Sequence, residues 1–336
     1  MLRKIKAFLA NSLPSLACVY TFIKDEYNIV KSFILFMQHP DFNFYYSNLI
    51  NGLDDKSIET LIHINNKINI ISYIKSKNKV FIMLELLFIK RIYNSFNDDE
   101  KNILIEQNNQ LAKVIKLNNN CYELNEYLLP VNKFARNVFF DMNRIDRMFT
   151  KDISSMCIID VGAYIGDSSI VLSKLTKNKI HCFEAMTQNY ELLLKTLKMN
   201  NITNAVPIKA ALGASIGSLD FSYGGSFGIQ SKVADKKRNI EKVKVMTLDE
   251  YVVTNNLDVG LIAIDIEGSE QQFLEGAVRT IRSQQPTLLI SIYHSPEDFY
   301  FIKQMIDDLR LGYKFKIHKP VMYSLIIDTL LIAETN

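Results

Sequence analysis

Glycine and proline are scarce, at 12 and 7 of 336 residues, and this excludes collagen-like and low-complexity chains. With 48% hydrophobic and 22% charged residues the chain is composed as a folded protein rather than a disordered one. Cysteine is scarcer still. Cys18, Cys121, Cys157 and Cys182 form no CxxC pair, so neither a zinc signature nor a disulfide framework is present and a reducing cytoplasm is the expected setting. Cys157 and Cys182 lie in apolar runs and are expected to be small core residues. No charge of one sign dominates: residues 1–150 carry 19 basic and 15 acidic side chains, and residues 151–336 carry 20 and 21. Neither part has the excess of a protein that grips nucleic acid by its phosphates, so no nucleic-acid partner is expected. Long hydrophobic runs are missing as well. Val80–Ile89 is ten residues long and contains Glu85, about half of the roughly 20 apolar residues a membrane span needs. Met1–Phe8 has a basic start, but Asn11, Ser12, Pro14 and Ser15 interrupt the apolar stretch behind it, so any membrane contact is expected to be peripheral.

At roughly 100–200 residues per domain, two domains are expected. Residues 1–120 read as a helical N-terminal domain. Asp54-Asp55 open a segment with Ile58, Leu61, Ile62 and Ile68 on one face. Asn97 and Glu100 form a capping-box pattern, and the helix they open carries Leu111, Val114 and Ile115. Nothing there suggests chemistry, and association, self-association included, is its expected role. Residues 121–152 are a lead-in. Over residues 153–336 strands and helices alternate: strands at Cys157–Ile159, Lys179–Phe183, Ala205–Lys209, Leu261–Ile266 and Leu288–Tyr293, helices at Ser168–Leu175, Asn189–Met199 and Glu297–Leu309. Tyr313–His318 and Ile326–Ala333 close as an antiparallel pair. The expected fold is α/β, a Rossmann-like, doubly wound, mostly parallel sheet with its site at the carboxyl ends of the strands.

The sharpest element is Asp160-Val161-Gly162-Ala163-Tyr164-Ile165-Gly166-Asp167-Ser168, between a strand and a helix. Gly162 and Gly166 permit a tight turn and close approach of a ligand. Glu184, at the end of the next strand, stands where an acidic group accepts hydrogen bonds from ribose hydroxyls. A dinucleotide site wants G-x-G-x-x-G; here the pattern is G-x-x-x-G flanked by Asp160 and Asp167. Those carboxylates repel a pyrophosphate and suit S-adenosylmethionine, which is cationic and has a ribose but no phosphate.

The stretches IIDVGAYIGDSS (158–169), HCFEAMTQNY (181–190), VPIKAALG (206–213), VMTLDEYV (245–252), LIAIDIEGSEQQFLEGA (261–277) and LLISIYHSPEDF (288–299) together resemble the FkbM family of S-adenosylmethionine-dependent methyltransferases. The resemblance implies the class I methyltransferase fold, a seven-stranded sheet ending in an antiparallel hairpin, and O-methylation of sugar or natural-product hydroxyls. It implies cofactor contacts at Asp160, Gly162, Ala163, Tyr164, Gly166, Asp167, Ser168, Glu184, Ala185 and Asp265. Two positions depart from the family: Tyr164 replaces a frequent Asn, and Ala185 follows Glu184 where Pro is usual.

For the base that takes the hydroxyl proton, the candidates are Asp265, Glu267 and His294. Asp265 resembles the carboxylate beside the methionine part of the cofactor. Glu267 would then face the acceptor, on the same side of a continuing strand; the alternative is that one of the two caps the following helix. His294 is either the base or a hydrogen-bonded structural residue. Tyr293 is expected in the core, and His39, His63, His181 and His318 are read as structural. A divalent metal on Asp265 and Glu267 is the less favoured route, for want of a third ligand. Phe221–Gln230 (FSYGGSFGIQ) reads equally as a mobile lid or an ordinary connection.

The expected activity is therefore O-methylation of a sugar hydroxyl in a bacterial surface glycan, the acceptor being a glycan or nucleotide sugar. The alternatives are a natural-product or amide-nitrogen acceptor, and a catalytically silent assembly subunit. Residues 1–120 then either select the acceptor or mediate association.

Overall fold

The computed structural model describes residues 29–74, 96–223, 239–321 and 324–335. The basic N-terminal start, the Val80–Ile89 run and most of the Phe221–Gln230 segment lie outside the described residues. Residues 29–36 are helical, followed by α1 (Phe42–Ile50) and α2 (Asp55–Ile74). The Asp54 carboxylate accepts the Ser57 N–H at 2.7 Å, which satisfies one of the free donors at the start of α2. The buried stripe of α2 runs through Leu61, Ile64 and Ile68, whereas Ile62, expected on that face, is 46% exposed. Helix α3 (Asp98–Leu111) carries the expected capping box: the Glu100 N–H donates to Asn97 at 2.8 Å, and the Asn97 N–H to Glu100 at 2.9 Å. It ends at Leu111, so Val114 and Ile115 are not helical. Ile115 opens β1 (Ile115–Asn118), which pairs antiparallel with β2 (Cys121–Leu124), and β2 with β3 (Tyr127–Leu129). The boundary expected at residue 120 thus falls inside a β-hairpin.

Strands then alternate with helices: β4 (Cys157–Val161), α4 (Asp167–Leu172), β5 (Ile180–Phe183), α5 (Thr187–Met199), β6 (Ala205–Ile208). A small sheet of β7 (Ala211–Leu212), β8 (Gly217–Tyr223) and β9 (Asn239–Met246) intervenes, in the order β7-β9-β8. Helix α6 (Leu248–Thr254) follows, with Thr247 as its cap. Next come β10 (Val259–Ile264), α7 (Glu270–Glu275), α8 (Val278–Gln284), β11 (Thr287–Ser291), α9 (Pro296–Asp307), β12 (Lys314–His318) and β13 (Leu330–Glu334). The main sheet runs β12-β13-β11-β10-β4-β5-β6. Its pairs are parallel except β11–β13 and β12–β13, which form the expected antiparallel end. The chain winds outward from β4 through β5 to β6, then returns to β10 on the other side. This switch between β4 and β10 opens a crevice at their carboxyl ends.

Alternate residues of the central strands feed two cores. Ile159, Val161, Ile262, Ile264, Leu288 and Ile290 face one side, and Ile158, Leu261, Ala263 and Leu289 the other, as parallel strands covered on both faces require. Val30, Phe33, Leu49, Leu61 and Leu104 join the first core; Leu124, Leu129, Phe134 and Phe139 join the second. The described N-terminal residues therefore cover both faces of the sheet. They also seal its edge: Leu53 bridges to Phe315 of β12, and the Ile317 N–H donates to the Ser57 hydroxyl at 2.8 Å. Cys157 and Cys182 are buried in β4 and β5, as expected of core residues.

Candidate active site

The turn after β4 is fixed by what it passes. Gly162 has φ +86°, and a Cβ there would lie 2.0 Å from the Asp265 carbonyl oxygen, so the turn presses directly on the end of β10. Gly166 has φ +87°, and its Cβ would meet the Leu193 side chain at 2.8 Å. Tyr164 adopts φ +47°, a costly conformation for a bulky side chain, of the kind that collects at functional sites. Its N–H donates to Glu184 Oε2 at 3.0 Å, and the Met186 N–H donates to Oε1 at 2.7 Å. Glu184 is thereby locked at the end of β5. Burial pushes its carboxyl up to about 7, against the pull of the Met186 N–H and its other hydrogen-bond donors. Asp160 accepts from the Ser168 and Ser169 hydroxyls at 3.0 and 2.6 Å; burial raises it to about 6 and Asp167 to about 7.

These groups open onto a cavity of about 1110 Å³, more than the roughly 300–1,000 Å³ of a typical small-molecule pocket and therefore roomy enough for two reactants side by side. Asp160, Gly162, Tyr164, Asp167, Ser168, Glu184 and Ala185 line it. Ala163 and Gly166 do not. Ala163 is fully buried with its N–H on the Phe183 carbonyl, and the Gly166 N–H closes the turn onto the Ala163 carbonyl at 2.7 Å. Both shape the wall from behind.

Across the cavity stand Asp265 and Glu267. β10 ends at Ile264, and Glu267 has φ +57°, so strand alternation does not bring these two together; a sharp turn does. Neither caps α7, whose N-cap is Ser269 without a side-chain bond. Glu267 is pushed up to about 7 by withdrawal from water, opposed by the His294 charge and reinforced by Asp265 and Glu270. His294 does not line the cavity. Its side chain is 6% exposed and sits behind the two carboxylates, with Nε2 3.3 Å from Asp265 and 3.7 Å from Glu267. Its Nδ1 lies 2.9 Å from Glu270, which is completely buried. Burial would lower the imidazole, but Asp265 and Glu270 outweigh it and hold His294 well above its ordinary value.

Asp265, Glu270 and His294 offer metal-type donor atoms within 4.8 Å of one another. The carboxylates sit at different ring nitrogens, however, whereas one cation takes one nitrogen of a histidine. The set fits an imidazole flanked by carboxylates better than a chelate.

Sequence reasoning missed four groups. Tyr293, expected in the core, lines the cavity and donates its hydroxyl to Asp265 at 3.3 Å, because β11 has ended at Ser291 and its alternation no longer holds. Glu270 is close to Asp265 in the chain, but no spacing rule links it to His294. Asp328 and His318 reach the cavity from the β13 end of the sheet. The fourth is a wall of residues 108–148, among them Lys133, Phe134 and Met142, with the Lys133 ammonium donating to the Tyr164 hydroxyl at 2.7 Å.

Residues 160–315 match the family described as Methyltransferase FkbM domain. No curated protein matches the sequence. Among solved structures, a methyltransferase FkbM from Methylobacillus flagellatus is similar over 83% of this chain, at 18% identity and TM-score 0.46; this chain spans 61% of that protein. A SAM-dependent methyltransferase from Aquifex aeolicus is similar over 60% of this chain and 92% of its own, at 13% identity and TM-score 0.36. A precorrin-6y C5,15-methyltransferase from Geobacter metallireducens is similar over 55% of this chain and 81% of its own, at 14% identity and TM-score 0.34.

Proposed function

We propose, on the match of residues 160–315 to the Methyltransferase FkbM domain family, that the chain moves a methyl group from S-adenosylmethionine to a hydroxyl of a sugar in a bacterial surface glycan. The observation that carries the donor assignment is the ring of carboxylates, Asp160, Asp167, Glu184, Asp265 and Glu267, around one cavity at the β4–β10 switch. Such a set suits a cationic, phosphate-free nucleoside and disfavours a dinucleotide. When bound, the cofactor supplies an electrophilic methyl on a sulfonium; every other demand falls on the protein. Glu184, held by the Tyr164 and Met186 N–H donors, would accept from the ribose hydroxyls. Asp265 would hold the ammonium of the methionine part, with the Tyr293 hydroxyl, which donates to it at 3.3 Å, steadying the carboxylate. Two reactants in one cavity make the displacement effectively unimolecular.

A sugar hydroxyl must lose its proton to attack. Glu267 is the residue best suited to take it, since it faces the cavity and its carboxyl lies near neutrality; a base so matched contributes about 10²–10⁴-fold. His294, buried behind and held in its charged form, acts through the carboxylates. The glycan acceptor rests on the family resemblance.

Calorimetric titration with S-adenosylhomocysteine tests the donor reading. Wild type should bind, and Glu184→Ala should bind at least about tenfold more weakly, the order expected for losing charge-assisted hydrogen bonds. Unchanged affinity in the variant would remove Glu184 from the ribose role. No binding by folded wild type would overturn the reading.

A further inference from the structure

A carboxylate with no exposed surface needs a compensating charge, because burying an unpaired ion is costly. Glu270 is such a group, and its Oε1 accepts the Ile266 N–H at 3.0 Å while lying 2.9 Å from His294 Nδ1. The Ile266 bond fixes the carboxylate to the turn that carries Asp265 and Glu267. The His294 contact fixes the imidazole. Since the two ring nitrogens point in opposite directions, anchoring Nδ1 on Glu270 aims Nε2 at Asp265 and Glu267, the two carboxylates that face the cavity.

We propose that Glu270 and His294 form a buried positioning pair that sets Asp265 for the cofactor: Glu270 holds His294, and His294 holds Asp265. The proposal rests on the donor reading above for the role of Asp265. Asp265 is thereby gripped from two sides, by His294 Nε2 at one oxygen and by the Tyr293 hydroxyl at the other. The charged groups that face His294 are Asp265 and Glu267 from the turn after β10, Glu270 from α7, and Asp328 from the segment before β13, with the Tyr293 ring packed alongside at 4.1 Å. Of these, Glu270 alone is fully buried and outside the cavity wall, so its influence on a bound ligand must pass through the imidazole.

A double-mutant cycle on S-adenosylhomocysteine affinity reads that passage, because groups acting in series are non-additive and independent ones multiply. Glu270→Gln and Asp265→Asn should each weaken binding about tenfold, and the double variant no more than either single one. Wild-type affinity in Glu270→Gln would overturn the proposal, as would a double variant weakened about 100-fold. A second measurement needs no variant of Glu270. In wild-type protein labelled with ¹⁵N-histidine, with His294→Asn used only to assign the signal, both His294 nitrogens should carry protons at pH 7. A bare nitrogen there would overturn the proposal even if Glu270→Gln fails to fold. If wild type binds no S-adenosylhomocysteine, the donor reading falls, while the ring protonation still reports on the pair.

Discussion

Three carboxyl groups at the site hold their protons far more tightly than free side chains do. Asp160, Asp167 and Glu184 are 3%, 5% and 6% exposed, and burial raises them to about 6, 7 and 7. Unfolded, they would titrate near 4. Between those values the folded protein binds more protons than the unfolded chain, so their contribution to stability is full below about pH 4 and is lost as pH rises toward 7. A cationic ligand reverses the preference and favours the ionised forms. Affinity for S-adenosylmethionine should therefore rise with pH from 5 to 7.5, by about tenfold per pH unit below pH 6 for each proton released, measured by calorimetry across that range. A flat profile would show that the carboxyls stay protonated around the ligand. Asp160, Gly162 and Glu184 are legible in the sequence because each owes its place to the carboxyl end of a single strand. Asp265 and His294 are legible in the same way, but their link through Glu270 is not, since it joins two loops and a helix start whose meeting depends on β10 and β11 being neighbours.

At the scale of elements, the edge of the sheet shows how a local contact fixes a distant one. β12 pairs with β13 on one side only, and on the other its Ile317 N–H is taken by the Ser57 hydroxyl, 2% exposed, at the start of α2. Ser57→Ala should leave that buried donor unpaired and cost about 1–3 kcal/mol, read from urea unfolding midpoints at unchanged slope. A loss below about 0.5 kcal/mol would mean that water replaces the hydroxyl. Element types are readable from the sequence where periodicity runs long, as in the capping box of α3 and the apolar strands β10 and β11. The misplacements have local causes. Ile62 matches a helical face that tertiary packing gives to Ile64, and the 115–129 hairpin escapes a periodicity reading because its first strand is exposed along its whole length and shows no alternation. The turn after Ile264 likewise breaks the two-residue period that would carry Glu267.

At the scale of the whole molecule, the N-terminal helices and the sheet share one core. Phe33, fully buried, packs edge-on against Phe299 at 5.2 Å between ring centroids, and Phe36 stacks on Tyr300 at 5.1 Å. Lys303, also buried, donates to the Asn48 carbonyl at 3.2 Å. Deleting residues 1–74 should uncover this face and the β12 edge together, giving a chain that aggregates rather than a smaller enzyme. Soluble yield and size-exclusion profile of the fragment would check this, and a monodisperse fragment with intact S-adenosylhomocysteine binding would refute it.

The Ser57–Ile317 bond spans 260 residues of sequence, and that distance is also a delay. A ribosome adding about 5–20 residues per second takes roughly 13–52 s to travel from one partner to the other. Throughout that interval α2 has no β12 edge to close on, and Leu61, Ile64 and Ile68 have only the early part of their core, Val30, Phe33, Leu49, Phe96 and Leu104, to pack against. Synthesis thus separates the two halves of this contact in time, and the described N-terminal helices can close over the sheet edge only after β12 has been made.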